Sequence, residues 1–157
     1  MADDFVPVLS GDVSNVVLWM VHTGVQPANI FIRITKDNGD NNPNTATLVT
    51  SGLSSATHVD TGDLFPGDYP IYRTTCTLPT PATVAAGDTY WLEVDMTAGS
   101  LWCVQIPVIF GSTVWFYSEG NLVSSVALIG QEFDSFFELH NSLALEANTW
   151  GAIKASF

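Results

Sequence analysis

Apolar and polar positions alternate with period two along much of this chain. The clearest stretch is Tyr90-Trp91-Leu92-Glu93-Val94-Asp95-Met96, entered past Pro79 and Pro81 and through a turn at Gly87-Asp88. Successive side chains on a strand face opposite sides of the sheet, so Tyr90, Leu92, Val94 and Met96 share one face and Trp91, Glu93 and Asp95 the other. A helix would scatter the same residues around its cylinder. The pattern predicts a half-buried strand, with its carboxylates on a solvated face.

The same reading carries along the chain. Residues 3–9 (DDFVPVL) form a short first strand, at an edge because of Pro7. Residues 13–22 (VSNVVLWMVH) are apolar on both faces, as in a covered central strand, and residues 29–36 (NIFIRITK) put Ile30, Ile32 and Ile34 inward with Phe31 and Arg33 outward. Residues 37–44 (DNGDNNPN) are turn chemistry throughout. The polar stretch to residue 68 reads as an exposed connection with one weak strand near 46–50. Further strands are expected at 69–78 and 89–96, in a hairpin of 101–110 with 113–118 around Gly111, and at 132–140 and 149–157. Residues 142–147 suggest a single helical turn. About ten short strands with regular turn signals predict an all-β protein, a two-sheet antiparallel β-sandwich of the jelly-roll kind. Residues 1–157 form one domain, without internal repeat or linker.

Composition changes this picture in two ways. Charged residues make up 13% of the chain, about half the roughly 25% usual in soluble domains. No apolar run approaches the ~20 residues of a membrane helix, so the apolar excess belongs inside the domain or between copies of it. The charge is also one-sided, with 4 Lys+Arg against 16 Asp+Glu. Arg33, Lys36, Arg73 and Lys154 are too few and too scattered to neutralise phosphates, which excludes nucleic acid and anionic membranes as partners. The start, Met1-Ala2-Asp3-Asp4, has neither the basic nor the apolar region of a signal peptide. The expectation is a mature or trimmed chain, or one made and kept inside a cell as a viral protein would be.

Candidate chemistry is sparse. Asp37, Asn38, Asp40 and Asn42 surround a glycine turn and supply oxygen ligands of the kind calcium takes, but a polar loop needs the same residues for its turns. Calcium is the only cofactor the sequence raises. Glu93 and Asp95 lie about 7 Å apart along one strand face, near a glycosidase spacing, with no other mark of a cleft. Trp91, Trp115, Phe31 and Trp150 are strand-borne aromatics that could stack on sugars or fill an interface between subunits. Cys76 and Cys103 sit on strands expected to be neighbours and are candidates for one disulfide or for two buried thiols. His22, His58 and His140 are scattered. Neither a nucleophile elbow nor a phosphate-binding glycine loop is present, so the chain reads as non-enzymatic.

A series of landmarks resembles the non-catalytic jelly-roll modules of secreted bacterial and archaeal surface proteins, which carry varied cell-surface anchors. They are Asp3-Asp4-Phe5, the strand from Val16 to Trp19, and the strand from Ile30 to Thr35 with Asp37 and Pro43 behind it. Ala86-Gly87-Asp88-Thr89-Tyr90-Trp91-Leu92 and Phe137-Glu138-Leu139-His140 complete the series. The chain departs from those modules in lacking an anchor segment and in continuing past His140. The resemblance implies an extracellular or cell-surface, non-enzymatic role and transfers no catalytic residues.

Two functions follow as expectations. The first is a structural subunit that packs against copies of itself in an extracellular filament, a surface array or a virion. Its terminal segments, residues 1–9 and 149–157, would add as strands to a neighbour's sheet edge. The alternative is a carbohydrate-binding module with an exposed aromatic face, assisted by calcium at residues 37–42.

Overall fold

The computed structural model describes residues 1–95, 100–102, 104–105, 114–118, 121–130, 134–135 and 137–141. The protein is mostly β, 68% strand. The strands are β1 (Ala2–Phe5), β2 (Gly11–His22), β3 (Asn29–Lys36), β4 (Thr47–Phe65), β5 (Tyr69–Val84) and β6 (Tyr90–Asp95). They continue with β7 (Ser100–Trp102), β8 (Val104–Gln105), β9 (Trp115–Ser118), β10 (Asn121–Ser124), β11 (Asp134–Ser135) and β12 (Phe137–His140). One short helix, α1 (Ser125–Ile129), follows β10. Ser124 caps it by accepting from the Ala127 N–H, and Gly130 ends it in the left-handed conformation.

Ten of the strands form one antiparallel sheet in the order β10-β9-β1-β6-β3-β4-β5-β2-β12, with β7 also on β2; β8 and β11 pair separately. Register fixes the faces, because residues directly opposite in an antiparallel pair point the same way. Ile32 lies opposite Val94 and Ile34 opposite Leu92, and Val16 opposite Cys76. These residues join Leu18, Met20, Trp102 and Phe5 in one core. Phe5 stacks on Tyr90 with ring centroids 5.5 Å apart, and Phe137 packs edge-on against Phe5 and Trp102.

The largest departure from the sequence pattern is β4. The stretch expected to be mostly an exposed connection is a 19-residue strand. Its Thr, Ser and Val residues fit a pleated sheet, and it is held by β3 on one side and β5 on the other. Much of both its faces stays wet, so no apolar period marks it. A tight turn at residues 66–68 joins it to β5, with positive φ at Gly67 and Asp68. β4 and β5 pair only from Ser55 with Thr77 outward to Phe65 with Tyr69. Below that point β4 stays with β3 and β5 with β2.

Two further expectations are corrected. Ser100–Trp102 pairs with β2, whereas Trp115–Ser118 pairs with β1 and β10. The described parts of the expected 101–118 hairpin therefore do not pair with each other; its turn at Gly111 is outside the described residues. The expected first strand stops at Phe5, and the Pro7 carbonyl accepts from the Gly87 N–H in a loop instead. Residues 142–147 and the terminal segment 149–157 also lie outside the described residues.

Candidate functional site

The face of β6 opposite the core is also covered. Trp91 is 0% and Glu93 4% exposed, so the strand is buried on both faces and the expected solvated carboxylate face is absent at Glu93. Two neighbours supply the cover. Loop residues 37–45 follow β3, and the hairpin of β9 and β10 leans across from the far side of β1. Asn44 ties them together, its Oδ1 accepting from the Leu122 N–H at 2.9 Å and its Nδ2 donating to the Leu122 carbonyl at 2.8 Å.

Between these walls lies a cleft of about 410 Å³. Its floor is a pair of opposed residues, Arg33 on β3 and Glu93 on β6. Arg33 Nη1 donates to Glu93 Oε2 at 3.2 Å, and the Tyr117 hydroxyl donates to the same oxygen at 3.0 Å. Burial, then the bond to Glu93, holds the Tyr117 phenol above its ordinary range, which keeps it protonated and donating. Arg33 remains partly exposed, so the ion pair is screened by water and is worth less than a fully buried one. Thr35 stands one pleat along from Arg33, and its buried Oγ1 has no hydrogen-bond partner among the described residues. Leu48, Leu122 and Pro43 supply the apolar part of the lining.

The sequence-predicted residues are distributed around this cleft rather than gathered in it. Trp91 offers no platform for a sugar or a neighbouring subunit. It is enclosed, its Nε1 donates to Asp37 Oδ1 at 3.1 Å, and its ring meets Trp115 edge-on at 6.0 Å. Trp115 and Phe31 are half-buried. Phe31 lies opposite Asp95 at the other end of β6 from Trp91, so the aromatics form no continuous row. Trp150 is outside the described residues.

The four candidate calcium ligands are engaged within and beside their own loop. Asp37 Oδ2 accepts from the Gly39 N–H at 2.7 Å, and Asp40 Oδ2 from the Thr45 hydroxyl at 2.6 Å. Asn42 Oδ1 accepts from the Asn44 N–H at 3.0 Å. Asn38 donates to the Thr45 carbonyl and accepts from the Thr47 hydroxyl. Each of the four side chains thus has at least one oxygen engaged by a donor of the loop or its flanks. Among the described residues no group of three or more His, Cys, Asp or Glu side chains converges as a metal site. Burial raises the Asp37 carboxyl, but hydrogen bonds from Trp91 and from the Gly39, Asn41 and Asn42 N–H groups outweigh it and hold it below its ordinary value.

Cys76 is a buried free thiol in the core, pushed up to about 12 by burial; Cys103 is outside the described residues. His22 and His58, scattered in sequence, meet edge-on at 4.9 Å. His58 bonds Thr74 and the Pro27 carbonyl through its two ring nitrogens. On β12, Glu138 receives both Arg73, at 3.0 Å, and His140, at 2.9 Å. Thr35 and Tyr117 are among the cleft residues that the sequence pattern does not single out. Neither stands in a motif, and the fold alone places them beside Glu93.

No family model matches the chain, and no similar protein was found among curated proteins or solved structures.

Proposed function

We propose that this protein is a non-enzymatic structural subunit that associates with copies of itself in an external assembly, a filament, a surface array or a virion. The observation that carries the reading lies on β4. Leu53 and Val59 are 67% and 66% exposed and share one face of that strand with half-buried Phe31, which is opposite Leu53. Beside them, β3 stops pairing at Ser55, and no strand among the described residues pairs with that edge of residues 57–65. Exposed aliphatic side chains next to open backbone donors and acceptors make a surface that a further strand completes. A second copy is the fitting occupant, because its own β4 offers the same edge and the same side chains, as a two-fold interface requires. Fully burying a side chain of the Leu or Val size contributes about 1.5–3 kcal/mol, so a few such residues per copy weigh heavily in association.

The closure of the sheet into a jelly-roll-like sandwich belongs to the same reading. It is supported by a core shared between β2 and β6, which have β3, β4 and β5 between them in the strand order. The parting of β4 and β5 below Ser55 and Thr77 supports it too. An external location rests on the resemblance to surface modules and on the low charge.

Sedimentation of the intact chain beside a Leu53→Lys/Val59→Lys variant tests the interface. The expected result is a wild type heavier than one copy and a variant that sediments as a monomer with unchanged circular dichroism. A variant that associates as strongly as the wild type refutes this face as the contact.

A further inference from the structure

We propose that the imidazole pair of His22 and His58 is an acid-sensitive latch: when His22 takes a proton, the Ser100 end of β7 lifts from β2 while the rest of the sheet stays folded. The inference is independent of self-association and rests on how the two rings are held.

His22 is the last residue of β2 and lies opposite Ser100, the first residue of β7. It is 7% exposed. Its Nδ1 bonds the Ser100 hydroxyl at 2.9 Å, and its Nε2 is buried with no hydrogen-bond partner among the described residues. An imidazolium carries an N–H on both nitrogens. Protonation in place therefore sets an unpaired donor and a charge in a site that answers neither. His58 is held differently. Its two nitrogens meet the Thr74 hydroxyl and the Pro27 carbonyl, each at 2.9 Å. A hydroxyl accepts as readily as it donates, so both N–H groups of a charged His58 are met where the ring stands. That charge sits 4.9 Å from His22, centroid to centroid, and weighs against a second one in the pair.

The elements packed on His22 offer no counter-charge among the described residues. β4 presents His58, β5 presents Tyr72 with its ring centroid 5.7 Å away, and β7 presents Ser100. Asp60, two residues along β4 from His58 and opposite Tyr72, is exposed and accepts from the Gly62 N–H. Burial, then His58, lowers the affinity of His22 for a proton, so the proton binds more tightly once the ring is in water. The Ser100 end of β7 is the part that yields. β7 has three residues, and the His22–Ser100 pair closes its ladder, so the ring reaches water by opening one end of one short strand. Trp102, opposite Met20 and 0% exposed, anchors the other end in the core. β5 meanwhile holds the opposite edge of β2 from Gly11 to Val21. Opening bares the end of the β2 edge, so acid turns a paired strand edge into an unpaired one.

The test is native-state hydrogen exchange of the full chain, followed by NMR between about pH 7.5 and about pH 5.5, where an ordinary histidine changes charge. The readout is the protection factor, which removes the intrinsic pH dependence of exchange. The amides that bond across the His22–Ser100 and Val21–Leu101 pairs should lose protection by up to about tenfold per pH unit below the ordinary 6.5. Their protection should not respond to mild urea, because a local opening exposes little surface. The amides of Ile32 and Val94 should keep higher protection and the urea slope of global unfolding. His22→Gln keeps a side chain that can bond Ser100 but gains no proton, and it should abolish the pH-dependent loss. Protection at the β2–β7 amides that does not change with pH overturns the proposal. So does a loss that Ile32 and Val94 share with the same urea slope, or one that persists in His22→Gln. The first two outcomes are read on the wild type and stand whether or not the variant folds.

Discussion

Gly52 lies on β4 opposite Ile32, just where β4 and β5 part. A Cβ added there would come 2.7 Å from Pro79 Cγ, with Pro79 Cδ and Cβ at 3.8 and 3.9 Å. Carbon atoms pack best at about 3.5–4.0 Å, so Gly52→Ala creates an overlap of about 1 Å with one atom. The proline ring can move its Cγ only between two puckers, so relief requires a change of pucker or a shift of the β5 backbone. Overpacking of this kind costs about 1–3 kcal/mol. Alanine offsets about 0.4–1 kcal/mol of that by restricting the unfolded chain, because Gly52 does not need positive φ. The net expectation is a loss of about 1–2 kcal/mol, read by urea unfolding with tryptophan fluorescence and circular dichroism as coincident probes. Pro79→Ala removes the offending Cγ and Cδ, so in that background Gly52→Ala becomes neutral or stabilising by about 0.4–1 kcal/mol. A double-mutant cycle isolates the contact. Equal effects of Gly52→Ala in both backgrounds would refute the close approach of β4 to β5 at this point.

Three more perturbations probe the core and the site. Leu92→Ala empties a fully buried position in the core and should cost about 2–5 kcal/mol in the same unfolding assay. Trp91→Phe deletes the donor to Asp37; a bond to a charged acceptor contributes about 1.5–3 kcal/mol, and the Asp37 carboxyl should titrate at higher pH by NMR. The depressed Asp37 value means its contribution is complete above the ordinary 3.8 and is lost as pH falls through the folded value, so acid unfolding should begin at higher pH in that variant. Burial, then the neighbouring His58, lowers the His22 imidazole below 6.5. The unfolded chain then takes up the proton first, so the His22 contribution is complete above 6.5 and declines as pH falls from there toward the folded value. Melting temperatures should fall through that window, and His22→Gln should flatten the decline.

The strands that bury one full face were legible as sequence. In β3 the alternation of Ile30, Ile32 and Ile34 with Phe31 and Arg33 gave both the limits and the inward side. β2 was legible through its run of apolar residues. β4 was not, because its order comes from two neighbouring strands and its side chains from Thr47 to Phe65 are mostly polar on either face. The turn signal of Pro66-Gly67-Asp68 was present, but without a recognised strand before it there was no hairpin to close. α1 was missed because five residues are too few to show a helical period. The cleft was hidden for another reason. Glu93 was visible as a strand carboxylate, but its partner Arg33 is 60 residues away, and Trp91 finds Asp37 across 54. Such pairings are set by strand order, which local patterns do not encode. Composition likewise singled out the 37–42 loop for calcium, while the folded loop turns those same oxygens toward its own donors.

The most direct test of the central claim is the mass of the intact, unmodified chain in solution, by light scattering across a dilution series. Self-association through the β4 face predicts a mass that is a multiple of 16.9 kDa and falls on dilution or in the Leu53→Lys/Val59→Lys variant. A constant monomer mass at every concentration would contradict it.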